Sequence, residues 1–240
     1  MSVAVYTGTL LNDTFNLSSS TVGDVVYGDG LLAPSAGHGN NVITTGLGAD
    51  TIYGGYGSDR VVAGAGDDLI YGYGAAGTSA GASNSYAALD LADYLDGRGG
   101  NDRIYGGGGN DTIVGGEGND RLWGGSGSDR IYGGNGNDII SSGAGADKIW
   151  GGSGQDTFVY GYNPGSSEMS YDAQDGIDTI ADFTPGADKI NLQGYGITAD
   201  ALQVVDTAAG LELHFVAIYE DTQINLLGVH ALQAGDIVFA

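Results

Sequence analysis

Residues 106–132 read GGGGNDTIV-GGEGNDRLW-GGSGSDRIY: three nine-residue units, each with an Asp at position six and an apolar residue at position eight. Each glycine weakens regular structure by about 0.5–1 kcal/mol relative to alanine. Three carboxylates in so short a stretch repel one another. A chain that repeats both features must fold so that each is compensated.

Stepping outward by nine places further units at 45–53, 54–62, 63–71, 97–105, 133–141, 142–150 and 151–159. Position six is then Asp50, Asp59, Asp68, Asp102, Asp111, Asp120, Asp129, Asp138, Asp147 and Asp156, without exception. Position eight is apolar in all of them, from Ile52 to Phe158. Residues 72–96 fit as one unit with an excursion at its turn, leaving Asp93 at position six and Leu95 at position eight. Within it, SNSYAALDLA (83–92) reads as a short helix capped by Ser83 or Asn84. Residues 28–44 read likewise as a unit with an insert. Two degenerate units precede it, carrying Asp13/Phe15 and Asp24/Val26, as expected of the end of a stack.

A period of nine with one apolar position fits neither a helix of 3.6 residues per turn nor a long strand. It fits a six-residue turn followed by a three-residue strand, with position eight inward and positions seven and nine outward. Two units make one coil, and coils stack about 4.8 Å apart as two parallel sheets around a thin core. The expected fold is all-β, a right-handed parallel β-roll. Each position-six Asp then lies beside the Asp two units later: 50/68, 59/93, 68/102, 93/111, 102/120, 111/129, 120/138, 129/147 and 138/156. Such a column of carboxylates calls for a hard cation between coils. Carboxylate and carbonyl oxygens, six to eight in all, suit calcium, whereas magnesium demands a stricter octahedron. Nine calcium ions would bring the formal charge of −23 to about −5, an ordinary value for a small domain.

The repeat resembles the RTX (repeat-in-toxin) nonapeptide G-G-x-G-x-D-x-U-x, a calcium-binding β-roll motif. The resemblance covers 45–159 closely and 8–44 more loosely. Further on, GIDTIADFTPGADKINL (176–192) is similar to the segment that follows the roll in serralysin-type proteases. Its Asp178/Ile180 and Asp188/Ile190 repeat the six/eight relation and add two candidate sites, Asp147/Asp178 and Asp156/Asp188. Residues 201–206, 211–218 and 222–228 alternate like antiparallel strands and are expected to cover the open end of the roll. The terminal DIVFA resembles the uncleaved signal of type I secretion substrates, and reads equally as a final cap strand. The expected organisation is an N-terminal cap at 1–44, a β-roll at 45–159 with its insert at about 75–92, and a C-terminal cap at 160–240 bearing the secretion signal.

The resemblance implies a bacterial protein folding on roughly ten calcium ions outside the cell, with the type I secretion machinery as a partner. Nucleic acid is excluded as a partner, because 30 acidic against 7 basic residues offer phosphate no basic surface. No apolar stretch approaches the roughly 20 residues of a transmembrane helix, and no basic-then-apolar leader opens the chain. There is no cysteine. The HExxH helix of serralysins is absent, and His38, His214 and His230 have no partner at zinc-ligand spacing, so no enzyme activity is expected. Position nine carries an aromatic file, Tyr27, Tyr53, Tyr71, Tyr105 and Trp123, beside Arg103 and Arg121. It reads either as cross-strand stacking or as a surface for polysaccharide or a cell envelope. Two roles remain open: a free-standing surface or matrix-binding protein, favoured by the initial Met and the cap-like N-terminal units, and the folding module of a larger exoenzyme such as a serralysin-like protease or an alginate epimerase.

Overall fold

The computed structural model describes residues 4–9, 13–29, 39–73, 90–161, 176–194, 198–215 and 223–239. His38 and most of both excursions, including 83–89 of the expected helix, lie outside them.

The chain winds between two sheets, alternating at each unit. Sheet one runs in order through Ala4–Thr7, Asp24–Tyr27, Thr51–Gly55, Leu69–Tyr73, Arg103–Gly108, Arg121–Ser126, Ile139–Ala144, Thr157–Gly161, Lys189–Gly194 and Ile237–Val238, all parallel. Sheet two holds the intervening strands from Thr14–Asn16 to Ile177–Ile180, again parallel. Register is fixed by the repeat: Ile113 faces Ile131 and Leu122 faces Ile140. The position-eight side chains from Val26 to Phe158 therefore stack into one continuous core, each at most 1% exposed, with Phe15 partly buried at its end. Burying each such side chain contributes about 1.5–3 kcal/mol. That term offsets the cost of ordering so many glycines.

One expectation needs correction. The strands of the regular units are six residues long, not three, as in Thr112–Glu117 and Arg121–Ser126. Positions two and three of the next unit rejoin the ladder after one skipped glycine: Val114 pairs with Tyr132, then Gly116 with Gly134. The turn proper is only positions four to six. The rejoining depends on position two adopting a positive φ, +118° at Gly116. Arg98 occupies the same position with φ 76°, the only non-glycine with a positive φ among the described residues. A left-handed conformation costs an L-residue about 1–2 kcal/mol. Arg98 Nε offsets part of this with an ion pair to Asp96 Oδ2 at 2.9 Å, but the arginine is 59% exposed. Such pairs are worth about 0–1 kcal/mol. Arg98→Gly should therefore raise stability by about 0.5–1 kcal/mol in denaturant melts at saturating calcium. A lower midpoint would show that the pair outweighs the strain.

Beyond the regular units, Ile180 and Ile190 continue the core file. Three further strands follow at the C-terminal end. Gln223–Leu227 adds to Ile177–Ile180 in parallel, and Gly210–Phe215 and Leu202–Thr207 follow antiparallel. They cover the bare edge of sheet two by pairing with it. Their inward residues Leu211, Leu213, Ile224 and Leu226 prefer to lengthen the existing core. On the outside of sheet one, the aromatic file is stacked face to face, with ring centroids 5.0, 5.0, 4.9 and 4.4 Å apart from Tyr27 to Trp123.

Candidate metal centre

The turns bring position-six side chains to the two long edges of the roll. One edge carries Asp59, Asp93, Asp111, Asp129, Asp147 and Asp178 in succession. The other carries Asp50, Asp68, Asp102, Asp120, Asp138, Asp156 and Asp188. All thirteen are buried, none more than 4% exposed. Every pairing expected from the sequence is present as a hydrogen bond. The backbone N–H of each Asp donates to Oδ1 of the Asp one coil on, at 2.7–3.0 Å, in all eleven pairs from 50/68 to 156/188. Both ladders reach further back, through Asp24 N–H to Asp50 Oδ1 and Asn41 N–H to Asp59 Oδ1.

This arrangement uses one oxygen of each carboxylate. The second, Oδ2, is buried without a hydrogen-bond partner in Asp50, Asp59, Asp68, Asp93, Asp102, Asp111, Asp120, Asp129, Asp138 and Asp156. A buried polar atom left unpaired costs about 1–3 kcal/mol, more when charged. Burial accordingly pushes these groups up. Asp59 rises to about 7, Asp111 and Asp129 to about 8, and Asp93 to about 11. On the other edge Asp102, Asp120, Asp138 and Asp156 rise to about 6, and Asp68 to about 8. Neighbouring carboxylates add to the rise, while the backbone N–H bonds oppose it. Asp178 and Asp188 differ from the rest. Their Oδ2 atoms accept from Ser142 Oγ at 2.8 Å and from Thr184 N–H at 2.7 Å. At this end of the files, protein donors take over the second oxygen.

These residues fit a hard cation. Only oxygen donors line the edges, and the unpartnered atoms are carboxylate oxygens. Position one is glycine in most units for the same reason, Thr45, Ala63 and Ser142 being the exceptions among the regular ones. A Cβ at Gly106 would collide with both Asp111 Oδ2 and the carbonyl oxygen of Gly124 in the next coil. A carboxylate oxygen and a backbone carbonyl thus share one small space. No three acidic or histidine side chains among the described residues converge as a metal cluster. Backbone carbonyls must therefore complete any coordination shell, as calcium permits.

Sequence reasoning missed two features. First, position five builds its own ladder in the opposite direction. Asn119 N–H donates to Asn101 Oδ1, and Asn137 N–H to Asn119 Oδ1, at 2.8 and 2.7 Å. The recurring Gly-Asn-Asp triplet was the available signal. Second, where a strand stops short of the regular pattern, beside the two excursions and in the irregular turn after Ile180, an Asp replaces the missing ladder acceptor. Asp29 Oδ2 accepts from Tyr56 N–H (2.7 Å), Asp90 Oδ2 from Gly108 N–H (2.9 Å), and Asp182 from Gly151 and Gly152 N–H (both 2.9 Å). The two described histidines pair singly, His214 with Glu212 and His230 with Asp206.

The RTX calcium-binding nonapeptide repeat matches the chain in four copies, over residues 35–70, 53–76, 89–122 and 123–158. Repeats of this kind bind calcium, several ions to an array. Among solved structures, the R3 subunit of the mannuronan C5-epimerase AlgE6 from Azotobacter vinelandii is similar. It is 29% identical over 68% of this chain and 84% of that one, with a TM-score of 0.38. No curated protein matches the chain.

Proposed function

We propose, for a chain built on RTX calcium-binding nonapeptide repeats, that it is a secreted, non-catalytic protein whose roll closes on calcium held by the position-six aspartates. The observation that carries this reading is the double file of buried carboxylates, ten of which, from Asp50 to Asp156, offer an oxygen with no hydrogen-bond partner. Calcium supplies the positive charge and the additional coordination those oxygens lack. The chain's own part is to bring Asp from successive coils into register and to exclude water around them. In the low calcium of a cytosol the files repel and the chain stays extended, a state suited to export. At extracellular calcium, where modules of this kind bind at about 10⁻⁴–10⁻³ M, the coils close.

RTX repeat proteins are typically bacterial and extracellular, and their repeats are generally non-catalytic calcium-binding modules. No helix among the described residues is long and apolar enough to cross a membrane. The C-terminal DIVFA supports export through the type I machinery. In the folded state its Asp236 is engaged, accepting from Gly186 N–H at 2.9 Å and Gln233 N–H at 2.6 Å. The exporter would read the segment before folding. The folded product's role is adhesion or matrix binding. Ring faces in the aromatic file are taken up by one another, so contact with polysaccharide falls to ring edges and to the exposed Arg103 and Arg121.

The ligand assignment is tested by stoichiometry. Asp120 belongs to two pairs, 102/120 and 120/138. Asp120→Ala should lower the number of calcium ions bound, measured by equilibrium dialysis, by up to two. Asp206→Ala, in the exposed C-terminal pair, should lower it by none. Equal stoichiometry in Asp120→Ala and the parent would remove Asp120 from the ligand set.

A further inference from the structure

Both excursions leave the roll from the same edge, the one that carries Asp59, Asp93 and Asp111. Each is flanked by a carboxylate on that edge, Asp29 before the first and Asp90 after the second. Asp29 sits beneath the Asp59 turn, with Oδ1 accepting from Asn41 Nδ2 at 2.9 Å and Oδ2 from Tyr56 N–H at 2.7 Å. Asp90 sits in the Asp93 turn, under Gly108. Asp90 is 5% exposed, and its Oδ1 is buried with no hydrogen-bond partner. The unpartnered Oδ2 atoms of Asp59, Asp93 and Asp111 lie along the same stretch. Asp90 repels Asp93, Asp59 and Asp111, and Asp29 repels Asp59. No basic side chain pairs with any of them among the described residues. Other steps also have acidic neighbours, Asp67 and Asp96 beside Asp102, and Asp182 and Asp236 beside Asp188. Asp67, however, is exposed, Asp96 pairs with Arg98, and Asp236 accepts from Gly186 and Gln233 N–H. Asp90 instead adds a buried carboxylate oxygen with no partner beside the Asp59–Asp93 step.

We infer that Asp29 and Asp90 make the Asp59–Asp93 step the tightest calcium position of the roll, and hence the place where the roll begins to close. The inference rests on the calcium reading above. Its physical basis is the long reach of charge at low dielectric: a buried carboxylate attracts a divalent ion without ligating it, with twice the energy it has for a monovalent one. Asp90 and Asp29 act as positioning charges, leaving coordination to Asp59, Asp93 and carbonyl oxygens.

The experiment is calorimetric titration of the full chain with calcium. Asp90→Asn keeps an oxygen to accept from Gly108 N–H and removes only the charge. It should weaken the tightest dissociation constant at least about tenfold, and Asp29→Asn with Asp90→Asn should weaken it further. Asp182→Asn is the control, because Asp182 fills the ladder as Asp90 does but far from Asp59. It should leave the tightest constant within about twofold. An unchanged constant in Asp90→Asn, or an equal loss in Asp182→Asn, overturns the inference while calcium binding itself stands. A parent chain that binds no calcium removes the underlying reading instead. Should Asp90→Asn not fold even at saturating calcium, Asp90→Glu decides. Recovery of both folding and the tight step supports the charge role, and recovery of folding alone overturns it.

Discussion

Adding a chelator at pH 8 and low ionic strength should convert the far-ultraviolet circular dichroism of this protein from strand to coil, and excess calcium should restore it. The expected change is near complete, because the electrostatic cost is summed along two files. Two like charges about 5 Å apart repel by about 1 kcal/mol in water and by several times more as the local dielectric falls. Each file repeats that contact at every coil, and each buried Oδ2 adds its own desolvation cost. Net protein stabilities are only about 5–15 kcal/mol, so the metal-free roll has no margin at neutral pH. The dependence on pH fixes the sign. Without metal, folded Asp68, Asp111 and Asp129 sit at about 8, against 3.8 for an ordinary aspartate. A raised folded value contributes stability that is full below the ordinary value and is lost as pH rises through the folded one. The metal-free chain should thus regain strand structure on acidification towards pH 4 and lose it by pH 8. With calcium the slope inverts, since the ligands must be anionic. Melting curves across this range, with calcium and with chelator, should therefore cross. Full strand signal in chelator at pH 8 would sink the electrostatic account.

Much of this was legible from the sequence, because the repeat makes every unit vote for the same register. Ten aspartates and ten apolar residues nine apart left a single arrangement, and all eleven expected Asp pairs are neighbours. What stayed hidden has local causes. Strand length was underestimated because position one looks like position two in sequence. Only the fold shows that Gly115 is skipped while Gly116 pairs. The ladder-filling role of Asp29, Asp90 and Asp182 was missed because none of them falls at position six. Each answers a vacancy created where the chain departs from the repeat, at an excursion or at the irregular turn of Asp182, and such departures have no period to read. The C-terminal strands are legible by alternation, but alternation does not say which strand they pair with. Their apolar faces, Leu211 and Leu213 opposite Leu226 and Ile224, join the core cluster at the edge of sheet two.

A single methyl group at position four should break the stack, whereas one at position three should be tolerated. Gly127 has φ +131°, which only glycine adopts readily, and a Cβ there would drive into the carbonyl of Gly109 in the coil before. Neither neighbour can give way. Gly127 N–H bonds Ala144 O at 2.8 Å on one side, and Ser128 N–H bonds Asn110 Oδ1 at 2.7 Å on the same turn. Relief would require parting two coils, which would also pull Asp111 from Asp129. Backbone strain of about 1–2 kcal/mol then adds to overpacking, usually about 1–3 kcal/mol and here against main chain rather than a yielding side chain. Gly127→Ala should cost more than about 4 kcal/mol at saturating calcium and should weaken calcium binding with it. Gly99 is the contrast. No atom lies within 4 Å of its would-be Cβ, its φ is not in the positive region, and position three elsewhere holds Glu117, Ser126 and Asn135. Gly99→Ala should lie within about 0.5 kcal/mol of the parent or above it. Denaturant melts of both variants with calcium measure the difference. If the two alanines cost alike, coil spacing is set by something softer than backbone contact, and the close stacking that brings the aspartates together is not what holds the roll in register.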